Sequence, residues 1–223
     1  MDHPSEAPPY PAGPVTSEDL RQALHLALTA LRSAPTDPSR WDSDAGSLTW
    51  TCWETTEHLC DDLLGYALQL GAVSKPEDSY VSLAGSSRRD GGPEEAVHAD
   101  RAAGGVPGLL WLLEGSGALL VAIAGATPPH IRAFHSMGVS DAEGFAAMGI
   151  VETLVHTHDL ALGLEFDWSP PADLCARVLT RLFPDVSYDE AEPWPTLLWA
   201  TGRISLPGHG HRENWRWYGE PRA

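Results

Sequence analysis

Two residues in one apolar segment carry the first candidate chemistry. Glu152 and His156 lie in the run Gly149-Ile150-Val151-Glu152-Thr153-Leu154-Val155-His156-Thr157-His158-Asp159-Leu160. On a helix, residues four apart stand one above the other on the same face. Phe145, Met148, Val155 and Gly163 share that strip and are apolar or small, so it should face inward. A carboxylate and an imidazole on a buried strip are costly unless something pairs them. A divalent metal is one such partner. A plain Glu/His pair gives the same pattern and is the commoner explanation. The run is not H-E-x-x-H, which has two histidines and a catalytic glutamate.

A metal needs a third ligand from another helix, and His58 is the best candidate. On a helical wheel it falls with Thr51, Thr55, Asp62 and Gly65, away from the apolar arc of Trp53, Leu59, Cys60, Leu63, Leu64, Ala67 and Leu70. That strip fits solvent or an open groove equally well, and both readings stand. Two nitrogens and one carboxylate would leave an open position on zinc, the mark of a catalytic site. A thiol bound there loses its proton, and a water becomes hydroxide-like. A His/His/Glu set also suits nickel, iron or manganese.

Other residues extend the constellation. Asp159 lies one turn after His156 and can orient its ring, a catalytic-site role that a surface or cap role equals. His135 precedes the same helix and can reach the groove as a substrate or acid/base residue. His158 points off the strip. Arg88 and Arg89 fit an anionic substrate or, more simply, a solvated loop pair. Ser116 is not in a G-x-S-x-G elbow, and no P-loop or dinucleotide-binding glycine pattern occurs.

The elements that must position these residues read as mostly α. Residues 1–16 are proline-rich and expected to form a disordered tail, with a single domain over 17–223. Helices are predicted over 17–33 with Ser17 as cap, 48–70, 106–124, 140–163 with Ser140 as cap and Gly163 as its end, and 171–183. A short one follows at 194–202. Gly115-Ser116-Gly117 predicts a kink or a close helix approach. Residues 82–92 read as a mobile loop, and Trp215 to Tyr218 as a docked strand or extended part of an irregular tail. Four longer helices make a four-helix bundle.

Composition excludes several classes. The net charge of −17 argues against nucleic acid and anionic membrane as partners. The apolar run 109–126 is interrupted by Glu114 and the Gly-Ser-Gly, which argues against a membrane span, and the first residues lack a signal-peptide pattern. Three cysteines without metal or C-x-x-C spacing point to a reducing, cytoplasmic setting.

Residues 48–70, 130–184 and 193–216 resemble the mycothiol-dependent maleylpyruvate isomerase family of the DinB-like superfamily. The resemblance is carried by Glu57-His58-Leu59, by the run from Gly144 to Asp159, by Trp168-Ser169-Pro170-Pro171, by Arg181-Leu182-Phe183-Pro184, and by the run from Pro195 to Arg203. It implies a DinB-like four-helix bundle holding a divalent metal, usually zinc, on His58, Glu152 and His156. It implies mycothiol or a similar small thiol as cosubstrate, an electrophilic substrate, and a substrate or cofactor contact at Arg203. The isomerases themselves also carry a further C-terminal domain. Two alternatives stand beside this reading: a non-catalytic small-molecule binding or resistance protein on the same bundle, and a biosynthetic enzyme that uses no thiol.

Overall fold

The computed structural model describes residues 13–74, 78–187 and 192–222. Most of the expected N-terminal tail lies outside the described residues. Its last part does not read as a free tail. Val15 is buried, and its N–H donates to Glu143 at 3.0 Å. Thr16, not Ser17, caps the first helix, because its hydroxyl and the Asp19 carboxylate each accept the other's backbone N–H.

That helix, α1 (Ser17–Ser33), buries Leu20, Ala23, Leu24, Ala27, Leu28 and Leu31 on one stripe. A 3-10 turn, Pro38–Asp42, then buries Trp41. α2 (Cys52–Gly71) starts later than predicted, since Thr51 and Glu54 form a second capping box. α3 (Arg101–Ala126) starts earlier, capped by Asp100, with a kink at Gly105 (φ 54°) just before Pro107. Gly115 to Gly117 stays helical. A Cβ on Gly117 would lie 2.6 Å from Leu24, so the small residues serve the close approach to α1 and not a kink. Of the two expected alternatives, the close helix approach is the one that holds. By length and composition α3 is long and apolar enough to cross a membrane, yet here it packs against α1, α2 and α4.

α4 (Ala142–Leu164) is capped by Asp141 in place of Ser140, whose hydroxyl instead donates to the Gly219 carbonyl. It ends at Glu165 in the left-handed region (φ 61°), beyond Gly163. α1 and α2 each lie against both α3 and α4, which makes the four long helices an all-α bundle. α5 (Ala172–Leu182) packs on α4 and on α6 (Pro193–Ala200). The C-terminal segment docks without forming a strand. Trp217 is buried, Tyr218 N–H donates to Leu182 O, and Gly219 N–H donates to Met137 O. Among the described residues only isolated β-bridges occur.

Gly163 does not cap the helix, but its missing side chain makes room for another part of the chain. A Cβ there would lie 2.5 Å from both the Asp44 carbonyl oxygen and Cys52 Sγ. Gly163→Ala gains about 1 kcal/mol of helix propensity but overpacks a backbone contact, a cost of about 1–3 kcal/mol. The expected result is a lower urea midpoint by circular dichroism. A raised midpoint would mean that residues 44–45 yield freely.

Candidate metal centre

α2 and α4 face each other, and this brings His58 to Glu152 and His156. One ligand atom from each lies within 4.8 Å of the others. The two imidazoles meet edge to face, with centroids 5.1 Å apart. His156 Nε2 is 3.1 Å from a Glu152 oxygen, one helical turn away.

Both rings are held the same way from behind. His156 Nδ1 bonds Asp159 at 3.0 Å, and His58 Nδ1 bonds Glu95 at 2.8 Å. Each Nε2 is thereby left toward the cluster, which is how a carboxylate fixes the tautomer and orientation of a metal-binding imidazole. Arg203 donates to Asp159 at 2.9 Å and to the Thr201 carbonyl, so it anchors the carboxylate that anchors His156. Asp62 sits beside His58 Nε2 at 3.2 Å.

Glu95 reaches His58 because residues 78–100 are fastened to α2. Arg88 gives Glu57 two hydrogen bonds of 2.5 Å, and Ala99 N–H gives it a third at 2.7 Å. Arg89 bonds Glu54 at 2.9 Å, Ala96 N–H bonds Asp61, and Ser86 pairs with Glu95 through their backbones. Arg88 and Arg89 do lie on an exposed irregular segment, as the sequence reading has it, but neither is a free solvated charge, since each is paired with a carboxylate of α2. Both guanidinium groups are spent on carboxylates that α2 turns inward.

The electrostatics favour positive charge between the imidazoles. Burial opposes a charged His58, but Asp62, Glu95 and Glu152 outweigh it and raise its pKa to about 10. Burial also opposes a charged His156, and bonds to Asp159 and Glu152 still raise it. Glu152 and Asp159 are both lowered against burial, Glu152 by His156, His58 and Arg203, Asp159 by His156 and Arg203. Burial lifts Asp62 to about 7 despite His58, with Glu152 adding to the rise. Four carboxylates thus surround two imidazoles, with Arg203 the permanent cation in direct contact. A field that holds protons there equally favours a dication. The donor set, its spacing and its carboxylate-held rings fit a divalent metal.

The centre opens on a cavity of about 210 Å³. His58, Glu152, His156 and Arg203 line it together with Trp50, Trp215 and Trp217. Of the predicted residues, the structure gathers His58, Glu152, His156, Asp159 and Arg203. It places His135 in a neighbouring cavity, ringed by Tyr66, Tyr80, Phe145 and Trp217. His158 packs on Trp194, off the centre. Sequence reasoning missed Glu95 and Tyr66, whose hydroxyl interacts with Glu152. No periodicity marks Glu95, which arrives on an irregular segment. The three cysteines are buried and free, and burial pushes the Cys52 and Cys175 thiols up to about 12, as inert core residues.

Comparison with known proteins returns no match to a protein-family model, to a curated protein or to a solved structure.

Two measurements follow from this geometry. Glu95→Gln and Asp159→Asn should each weaken metal binding by about 10–100-fold, read by chelator competition, with the helical circular dichroism retained. Unchanged affinity in both would mean that the rings need no orientation. Burial also holds the His135 pKa down at about 4. The unfolded chain then takes up a proton that the folded one refuses, so stability falls as pH falls from about 6.5 toward 4. His135→Leu should flatten that part of the stability profile, measured by urea unfolding across pH.

Proposed function

We propose that His58, Glu152 and His156 hold a divalent metal, zinc in the first instance, in an enzyme that activates a small thiol. The reaction type is isomerisation or S-transfer, as in the mycothiol-dependent isomerases and transferases of the DinB-like superfamily. The observation that carries this reading is the pair of imidazoles from two helices, each held at Nδ1 by a carboxylate and left with Nε2 beside Glu152 or Asp62. A structural Glu/His pair needs neither a second histidine nor a second supporting carboxylate. The thiol is supported by the resemblance of the His58, Glu152 and His156 segments to that family.

A metal on these ligands would supply the positive charge that makes a thiol ionise near neutral pH. The chain's own residues do the rest. Glu95 and Asp159 fix the rings, and Arg203 keeps Asp159 ionised and in place. Leu48, Val151 and Val155 join the tryptophans to keep the cavity wall apolar, which strengthens every charge interaction inside it. The partners are then a small-molecule thiol and an electrophilic substrate, in a reducing cytoplasm.

Metal content by mass spectrometry, on protein purified without added metal, tests the centre. A single equivalent is expected in the native chain and none in Glu152→Ala or His156→Ala, both of which should keep the helical spectrum. Metal-free protein that takes up none on addition would return the cluster to a structural role. Calorimetry of mycothiol on the zinc-loaded chain tests the thiol, and no heat of binding there would remove it from the mechanism.

A further inference from the structure

Beside the candidate metal centre, α2 and the segment fastened to it flank a second, larger cavity of about 390 Å³ that is open to solvent. Asp61, Asp62, Tyr66, Tyr80, Glu94 and His135 supply its polar and aromatic wall. Among the described residues no lysine or arginine lines it. It adjoins the centre directly, since Asp62 contacts His58 and Tyr66 interacts with Glu152.

His135 is the informative residue here. It is only 6% exposed, and burial keeps it neutral. Its Nδ1 accepts the Met137 N–H at 3.1 Å, so the ring proton sits on Nε2. That Nε2–H has no hydrogen-bond partner among the described residues, although the ring lines the cavity. The ring as a whole is buried, yet Nε2 is not one of the sealed, unpartnered polar atoms, so this N–H is open to the cavity and free to donate to an acceptor bound there. Tyr66 and Tyr80 flank the same ring at centroid distances of 5.8 and 5.9 Å. Their π systems, like the carboxylates, attract cations.

We propose that this cavity binds the ammonium group of a substrate amine that carries a neighbouring hydroxyl or carbonyl oxygen, the oxygen accepting from His135 Nε2. The carboxylates and tyrosines take the charge, and the absence of a cationic wall turns anions away. The proposal deepens the metal-enzyme reading, on which it rests for its second reactant, by naming the substrate class that lies next to the centre.

The test uses ethanolamine as probe, titrated into isotope-labelled full-length protein and followed by nuclear magnetic resonance, with zinc content measured on the same samples. Saturable binding is expected, with shifts around Tyr80 and His135, while ethylene glycol and propionate leave the spectrum unchanged. Glu94→Gln combined with Tyr80→Leu, neither of which touches a metal ligand, should weaken ethanolamine by about tenfold, equivalent to about 1.4 kcal/mol, with zinc content as in the native chain. Ethylamine should bind more weakly than ethanolamine to the native chain and equally to His135→Phe. Ethylene glycol binding as well as ethanolamine, or the double variant binding ethanolamine unchanged, would overturn the proposal. Zinc bound without any ethanolamine binding sinks the amine site alone. Ethanolamine bound by a chain that takes up no zinc sinks the metal centre alone.

Discussion

Carboxylates taken out of water must find positive charge or hydrogen bonds, and the architecture around the centre follows from that requirement. Glu57 on α2 and Asp159 on α4 are each about 1% exposed, and Glu54 is 4%. An unpaired charge at such a depth costs several kcal/mol. Arg88 and Ala99 satisfy Glu57, Arg89 and Thr51 satisfy Glu54, and His156 and Arg203 satisfy Asp159. Two irregular parts of the chain are thereby fixed. The long connection between α2 and α3 is pinned across α2, and the segment after α6 is pinned to α4.

The site inherits its symmetry from those two anchors. The first brings Glu95 behind His58, and the second brings Arg203 behind Asp159 and so behind His156. The imidazoles thus face each other with matched support, although one support comes from a loop and the other from the ligand helix itself. The cavities on either side differ in character. One is walled by tryptophans and Arg203, the other by carboxylates and tyrosines. The centre therefore lies between a largely apolar wall that carries Arg203 and an acidic one.

Close helix approach makes the facing geometry possible. Gly149 lies one turn before Thr153 on α4, and a Cβ there would meet Leu120 at 2.7 Å, Leu20 at 3.2 Å and Leu63 at 3.3 Å. All three other long helices therefore converge on one glycine, just ahead of Glu152. Gly117 lets α1 approach α3 in the same way. These contacts set how near α2 comes to α4, and hence whether His58 comes within reach of Glu152 and His156.

By itself the sequence determined the helical elements and the Glu152/His156/Asp159 face, because helical spacing is a local property that needs no knowledge of the partner helix. The resemblance added His58, which its own polar strip left balanced between solvent and groove. The two predicted caps slipped by one residue, to Thr16 and Asp141, because neighbouring polar side chains compete for the same N–H groups, while the starts of α2 and α3 moved further, to Cys52 and Arg101. Only the tertiary structure decided that the strip around His58 is covered. It likewise decided that Arg88 and Arg89 are spent on buried carboxylates, that Glu95 stands behind His58, and that His135 belongs to a separate cavity. Those are contacts between residues 31 to 37 positions apart in the case of Glu57 with Arg88, Glu54 with Arg89 and His58 with Glu95. Nothing in the local pattern of an irregular segment encodes such a pairing, because it is chosen by the need to neutralise charge that burial on another element creates.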